Sequence, residues 1–299
     1  MRTSIARLIV IIAATLGTSV ALAAQRTYDK RLNAPPGGGL TFQADVGSVS
    51  VVGRDAAEVV VHADLEGSES FLSDFHISAE QTPSGVTILA RKTHEDWFNN
   101  TGPTRVRFTI EVPRNYPVDL RTAGGGLEVR DLNAPVRATT SGGGIQVQNI
   151  AGAVNVHTSG GSVDAERLNG SSELSTSGGH IDVGDSTGDL TLHTSGGGIQ
   201  IRDDDGKVDA HTSGGSIRAQ LRANHGIDLS TSGGSIILQL PEGISASVDA
   251  ETTAGRVTSD FPLSTTEATD RSQLRGAIGG GGAPISLHTS AGDIRLEHR

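Results

Sequence analysis

The sequence predicts an all-β chain: a single-stranded parallel β-solenoid (β-helix) of right-handed 18-residue coils, with a less regular β cap at its N-terminal end. Three observations predict it. The motif Thr-Ser-Gly-Gly returns at a fixed step of 18 residues. Between copies lie two stretches in which apolar and polar residues alternate. Aromatics are only 3% of residues while Gly is 40 of 299, so the core must be narrow and filled by Val, Ile, Leu and Ala.

The motif opens at Thr122 as Thr-Ala-Gly-Gly and recurs at Thr140, Thr158, Thr176, Thr194 and Thr212. Thr231 follows after 19 residues, with one residue inserted near His225, and Thr252 and Thr289 open weaker copies. In the unit starting at Thr140, Ile145 and Val147 alternate with Gln146 and Gln148, Ile150 enters a bend, and Val154 and Val156 follow Gly152. Ser-Gly-Gly marks one corner; Gly152, Gly170, Gly188 and Gly206 mark the other, where glycine adopts φ > 0 without steric cost. An antiparallel meander would leave one apolar face bare, with no second repeat to cover it. A solenoid buries that face around its own axis, and stacking like on like demands uniform units. Crossover chirality makes the coils right-handed.

The chain divides into residues 1–23, 24–121 and 122–299. Arg2 and Arg7, the apolar stretch Leu8 to Gly17 and Ala21-Leu22-Ala23 read as a cleaved signal peptide. Segment 24–121 starts and caps the solenoid. It carries short strands at 40–45, 46–52, 59–63 and 106–112, and a hairpin of 75–80 with 86–90 turned at Thr82-Pro83-Ser84-Gly85. Segment 122–299 is the repetitive solenoid, continuous with it. After Ala23 no apolar run reaches membrane length. Without Arg2 and Arg7, 22 basic residues face 34 acidic ones, a formal charge of −12 that repels phosphate backbones and argues against nucleic acid. There is no cysteine, so burial and backbone hydrogen bonds alone must hold the chain together.

Val46-Gly47-Ser48-Val49-Ser50-Val51, Val112-Pro113-Arg114, the Thr-Ser-Gly-Gly-x-Ile units, Leu240-Pro241 and the closing Leu287-His288-Thr289-Ser290-Ala291-Gly292-Asp293-Ile294 form an ordered series. That series resembles the bacterial "putative adhesin" domain of unknown function over about residues 38 to 297. The resemblance implies a β-solenoid in the cell envelope or outside the cell, and brings no catalytic residues with it.

The candidate sites are few. Ser141, Ser159, Ser177, Ser195, Ser213 and Ser232 repeat one position, without the elbow or distinguishable base that a nucleophile requires. Parity turns the motif threonines inward, where their hydroxyls can bond corner backbone, rather than outward as an ice-binding array. His157, His193 and His211 share an outward position. His193 and His211 fall on adjacent coils, close enough to share a metal, yet read best as solvated strand-face residues. Asp164 with Asp182, Asp209 with Asp228, and Asp203-Asp204-Asp205 match no calcium loop. Trp97 and Phe98, the only adjacent aromatics, suit a cap over the core end or a stacking platform for a ligand. The sequence therefore points to an exported, non-catalytic, adhesin-like scaffold without cofactor or metal. Its contact residues are Trp97, Phe98, His193 and His211. Its partner is an envelope protein or glycan, with end-to-end self-association open to it. A β-helical carbohydrate-active enzyme or polysaccharide-binding protein is the alternative.

Overall fold

The computed structural model describes residues 24–93, 104–265 and 271–299. The leader read from residues 1–23 and the Trp97–Phe98 pair lie outside them. Among the described residues two long sheets of 13 and 14 strands face each other. Each unit gives one strand to each sheet, as Ile145–Ala151 and Val154–Thr158 do. Equivalent strands of successive units pair in parallel and in step: Val136, Val154, Ser172 and Leu190 form one row, Ile145, Val163, Ile181 and Ile199 another. Eleven such rungs stack among the described residues, about 48 Å along the axis at the usual strand spacing. The predicted solenoid is the observed fold.

Alternation puts every second side chain inside. Ile145, Val147, Val154 and Val156 are buried, as are their counterparts in each unit, and no large aromatic enters the central rungs. Phe42 and Phe108 meet edge to face near the N-terminal end, 4.9 Å between centroids, where the rungs become less regular.

The motif threonines turn inward as parity requires. Thr158, Thr176, Thr194 and Thr212 each donate to the second glycine carbonyl of the preceding corner, at 2.7–2.9 Å, and all four are buried. A carbonyl that would be buried unpaired is thereby satisfied, at every turn of the chain. That second glycine is obligatory. A Cβ at Gly161, Gly179, Gly197 or Gly215 would lie 2.0–2.1 Å from the carbonyl oxygen beneath it, whereas one at Gly160 or Gly178 would find 3.4–3.5 Å. The weaker copies obey the same rule: Ala254 and Ala291 replace the first glycine, while Gly255 and Gly292 keep the second.

The opposite corner holds what the sequence did not disclose. Asp131, Asn149, Arg167, Asp185 and Asp203, 18 residues apart, all have φ between 49° and 62°. Each is a left-handed bulge that lets the next residue, such as Ile150 or Leu168, point inward. Ile150 thus lies within a strand rather than in a bend.

At both ends the order in space departs from the order in sequence. The rung of Gly39–Ala44 and Ser48–Arg54 is sandwiched between the Val118–Leu132 rung and an outer one made by Gly85–Lys92 and Arg105–Pro113. Likewise Ala283–Ala291 and Ile294–His298 slot beneath Ala246–Ala254 and Val257–Ser259. Antiparallel strands then cover the outer rungs. Glu58–Gly67 and Ala24–Asn33 continue one sheet and Phe75–Thr82 borders the other, while Gln273–Ile278 does the same at the far end.

The sequence suggested Trp97 and Phe98 as a lid for the N-terminal core, and both lie outside the described residues; among those that are described, other side chains cover the gap at this end. Arg26 reaches the carbonyls of Leu72 and Phe75, and Lys30 that of Ala79, spanning the gap between the two sheet edges. Tyr28 and Leu32 pack beneath them, beside the short helix Glu69–Asp74 with its buried Phe71 and Leu72.

Candidate functional site

With one face of every strand committed to the core, chemistry is left to the outward columns. On the first sheet, Glu128, Gln146, Asp164, Asp182, Gln200 and Arg218 stand in one register row. Beside it runs Arg130, Gln148, Glu166, Gly184, Arg202 and Gln220. Gly184 omits one side chain, and the Glu166 carboxylate lies over the gap, while Arg202 bonds Asp182 at 2.7 Å and approaches Glu166 at 3.9 Å. The result is a shallow polar trough of about 210 Å³.

The second sheet presents Asp119, Arg137, Asn155, Glu173, Thr191 and Asp209 in one row. The next row is Arg121, Thr139, His157, Ser175, His193, His211 and Ser230. His193 and His211 are side by side, as the repeat requires. The His211 ring, however, is already engaged on both nitrogens: Nδ1 lies 2.6 Å from Ser230 Oγ and Nε2 2.5 Å from Asp209 Oδ1. His157 pairs with Ser175 in the same way, at 2.8 Å. Among the described residues, no three His, Asp or Glu side chains converge as a metal site demands. The repeated serines are exposed, and their backbone carbonyls accept at 2.9–3.0 Å from the next corner's N–H, a glycine's for Ser141 through Ser213 and Ala291's for Ser232.

The acidic residues find protein partners. Arg202 bridges Asp182. Arg222 donates to the carbonyl of Asp203 at 2.6 Å and to Asp185 Oδ1 at 3.1 Å, while His225 meets Asp205 at 2.9 Å and Arg299 meets Asp203. The middle residue of Asp203-Asp204-Asp205 points the other way. Asp204 is wholly buried, in register with Leu221, and accepts from Ser186 Oγ at 2.6 Å. Burial pushes its carboxyl up to about 6, which the Ser186 hydroxyl only partly offsets. Sequence parity could not find this residue, because the bulge at Asp203 reverses the alternation. At the N-terminal end, Asp29, 2.7 Å from Nδ1, holds the His62 ring above its ordinary range, with Asp64 adding to the effect.

A concavity of about 700 Å³ lies along the outer rim of the second sheet, where strands begin after the Gly152-type corner. Asp119, Arg137, Asn155 and Glu173 wall it.

The fold and its two polar faces define a capped, two-sheet parallel β-solenoid of the kind that presents ordered side-chain columns. A family model described as Toastrack DUF4097 matches residues 40–297, and the chain belongs to that family. No curated protein matches. Two solved structures align at 11% identity. One is described as a "putative cell adhesion protein" from Clostridium sporogenes, covering 91% of this chain and 100% of its own with a TM-score of 0.23. The other, a "putative adhesin" from Bacteroides fragilis, covers 90% and 96% with a TM-score of 0.40. At that distance neither carries an argument about this chain.

Proposed function

We propose that this is an exported, non-catalytic scaffold of the cell envelope, which binds a partner through its outward strand faces as an adhesin-like protein would. One observation carries the reading: outward residues such as Gln146, Asp164, Asp182 and Gln200 repeat rung by rung in strict register. Such an array offers an extended partner one polar contact per rung, and summed weak contacts give avidity without any single strong site. An acid–base enzyme needs the reverse, a few unlike groups brought to one point with shifted proton affinities. The carboxyl most strongly shifted here, Asp204, faces the core. The leader read from residues 1–23 and the net negative charge support export and a soluble, extended particle.

The test pairs a glycan array with a reducing-end assay on purified protein lacking residues 1–23. Binding without new reducing ends is the expected result. Turnover of any polysaccharide would overturn the reading.

A further inference from the structure

We infer that the groove on the second sheet is the binding surface, and that its ligand is a linear, uncharged polysaccharide lying along the solenoid axis. This deepens the scaffold reading and rests on it. The groove floor is the outward position just before each second-sheet strand. It is occupied on successive rungs by Gly39, Pro117, Pro135, Ala153 and Ser171, and becomes long and charged at Asp189 and Lys207. The floor is therefore open over five rungs and blocked at one end. Its length, about 20 Å along the axis, suits an extended polymer rather than a compact small molecule.

Three features choose the polymer. The floor backbone is already spent: the N–H groups of Val118, Val136, Val154 and Ser172 donate to Pro135, Ala153, Ser171 and Asp189 at 2.8–3.1 Å. No free edge is left for a peptide to add as a strand. The floor side chains are instead flat and small, with the rings of Pro117 and Pro135 and the methyl of Ala153 suited to the C–H faces of sugar rings. The wall supplies hydroxyl-binding groups. Asn155 donates to Glu173 at 2.6 Å, which orients both, and Arg121 holds Asp119 at 2.9 Å. Between them Arg137 is exposed and has no ion pair or hydrogen bond among the described residues, leaving a guanidinium fork for vicinal hydroxyls.

Two further considerations fix the class. Arg121 is tied to Asp119, and the remaining lining carboxylates, Glu173 and Asp189, face Arg137 and, at the blocked end, Lys207, so the groove has no excess of positive charge to attract a polyanion. The rung spacing, about 4.8 Å, is close to the length of one pyranose in an extended chain, so neighbouring rungs can meet neighbouring sugars.

The test is calorimetric titration of the chain lacking residues 1–23 with cello- and N-acetylchito-oligosaccharides of two to eight units. Affinity should climb at least tenfold from two units to about six and then level off, because the floor ends at Asp189. Ala153→Leu, which fills an exposed floor position, and Arg137→Ala should each weaken binding at least tenfold. Thr109→Ala, at an exposed position on an outer rung of the opposite sheet, should not. Hexagalacturonate and an uncharged peptide of equal length should bind at least tenfold more weakly than the best neutral sugar. Absence of binding by every neutral oligomer, a flat length series, or preference for the peptide or the polyanion would each overturn the inference. So would binding indifferent to Ala153→Leu but lost in Gln146→Ala, which overturns the groove alone and leaves the scaffold reading standing. Cleavage of the oligomers overturns that reading itself.

Discussion

The two corners of each coil do the same geometric job and obey different rules. At the Thr-Ser-Gly-Gly corner the backbone of one rung rests on the next, and the second glycine is present from Gly125 through Gly292. At the opposite corner the corresponding residue is Ala134, Gly152, Gly170, Gly188 or Gly206, and the bulge before it is Asp, Asn or Arg. Departures from strict stacking between described strands cluster there. The excursion through Glu58–Gly67 and Phe75–Thr82 leaves after a first-sheet strand and returns before a second-sheet one. The Ser264–Ile278 excursion does the same, and the residue inserted near His225 is absorbed where Asn224 bonds Gly226 N–H and the carbonyl of Ala283. A Cβ at Gly206 would also meet backbone, 2.0 Å from the Gly188 carbonyl, so the second corner is not open. What distinguishes it is a varied residue set, Ala134 among the glycines, and it takes most of the insertions, the Lys92-to-Arg105 connection on the other side being the exception.

The sharpest way to break that comparison is to put the same methyl group on neighbouring glycines. Gly161→Ala drives a Cβ into the Gly143 carbonyl, which has stacked backbone behind it and no room to retreat. A loss of about 3 kcal/mol in denaturant unfolding is expected. Gly160→Ala, with 3.5 Å of space, should cost under about 1 kcal/mol. Equal losses would mean that the corner is governed by glycine's flexibility rather than by contact.

How much of this was readable beforehand follows the same division. The period, the two strands per coil, the inward threonines and the His193–His211 adjacency all came from residues that recur at the 18-residue step between Thr122 and Thr212. The interleaved end rungs did not, since Leu40 or Ile285 looks the same whichever rung it pairs with; pairing order there is set by long connections without periodicity. The Arg26 and Lys30 lid was hidden because charged residues on an edge strand read as solvated. Asp204 was hidden because one residue in left-handed conformation inverts the parity on which inside and outside were assigned.

That buried carboxyl makes the second corner sensitive to pH. Folded Asp204 titrates at about 6 against the ordinary aspartate value of 3.8, so folding favours its protonated form. The stabilisation is complete below about pH 4 and is lost as pH rises through 6, a change of roughly 2–3 kcal/mol. Asp204→Asn keeps an acceptor for Ser186 and cannot ionise. Urea unfolding of both proteins from pH 4 to 7.5 should show the wild type falling relative to the variant across that window. Parallel curves would show that the buried carboxyl is neutralised some other way.

The gentlest probe is Arg167, the one bulge residue that is neither Asp nor Asn. Its φ is 54°, a region that costs an ordinary side chain about 1–2 kcal/mol, while Asn tolerates it through local hydrogen bonding. Its contacts with Asn149 and Glu166 are exposed and contribute little. Arg167→Asn should therefore stabilise the protein by about 0.5–1 kcal/mol, and Arg167→Val should destabilise it, because a β-branched side chain suits that backbone least. If Asn gave no gain, the strain at this corner would have to be relieved by Arg167's reach to Asn149, and the bulge column would be held by its side chains rather than by the backbone preferences of Asp and Asn.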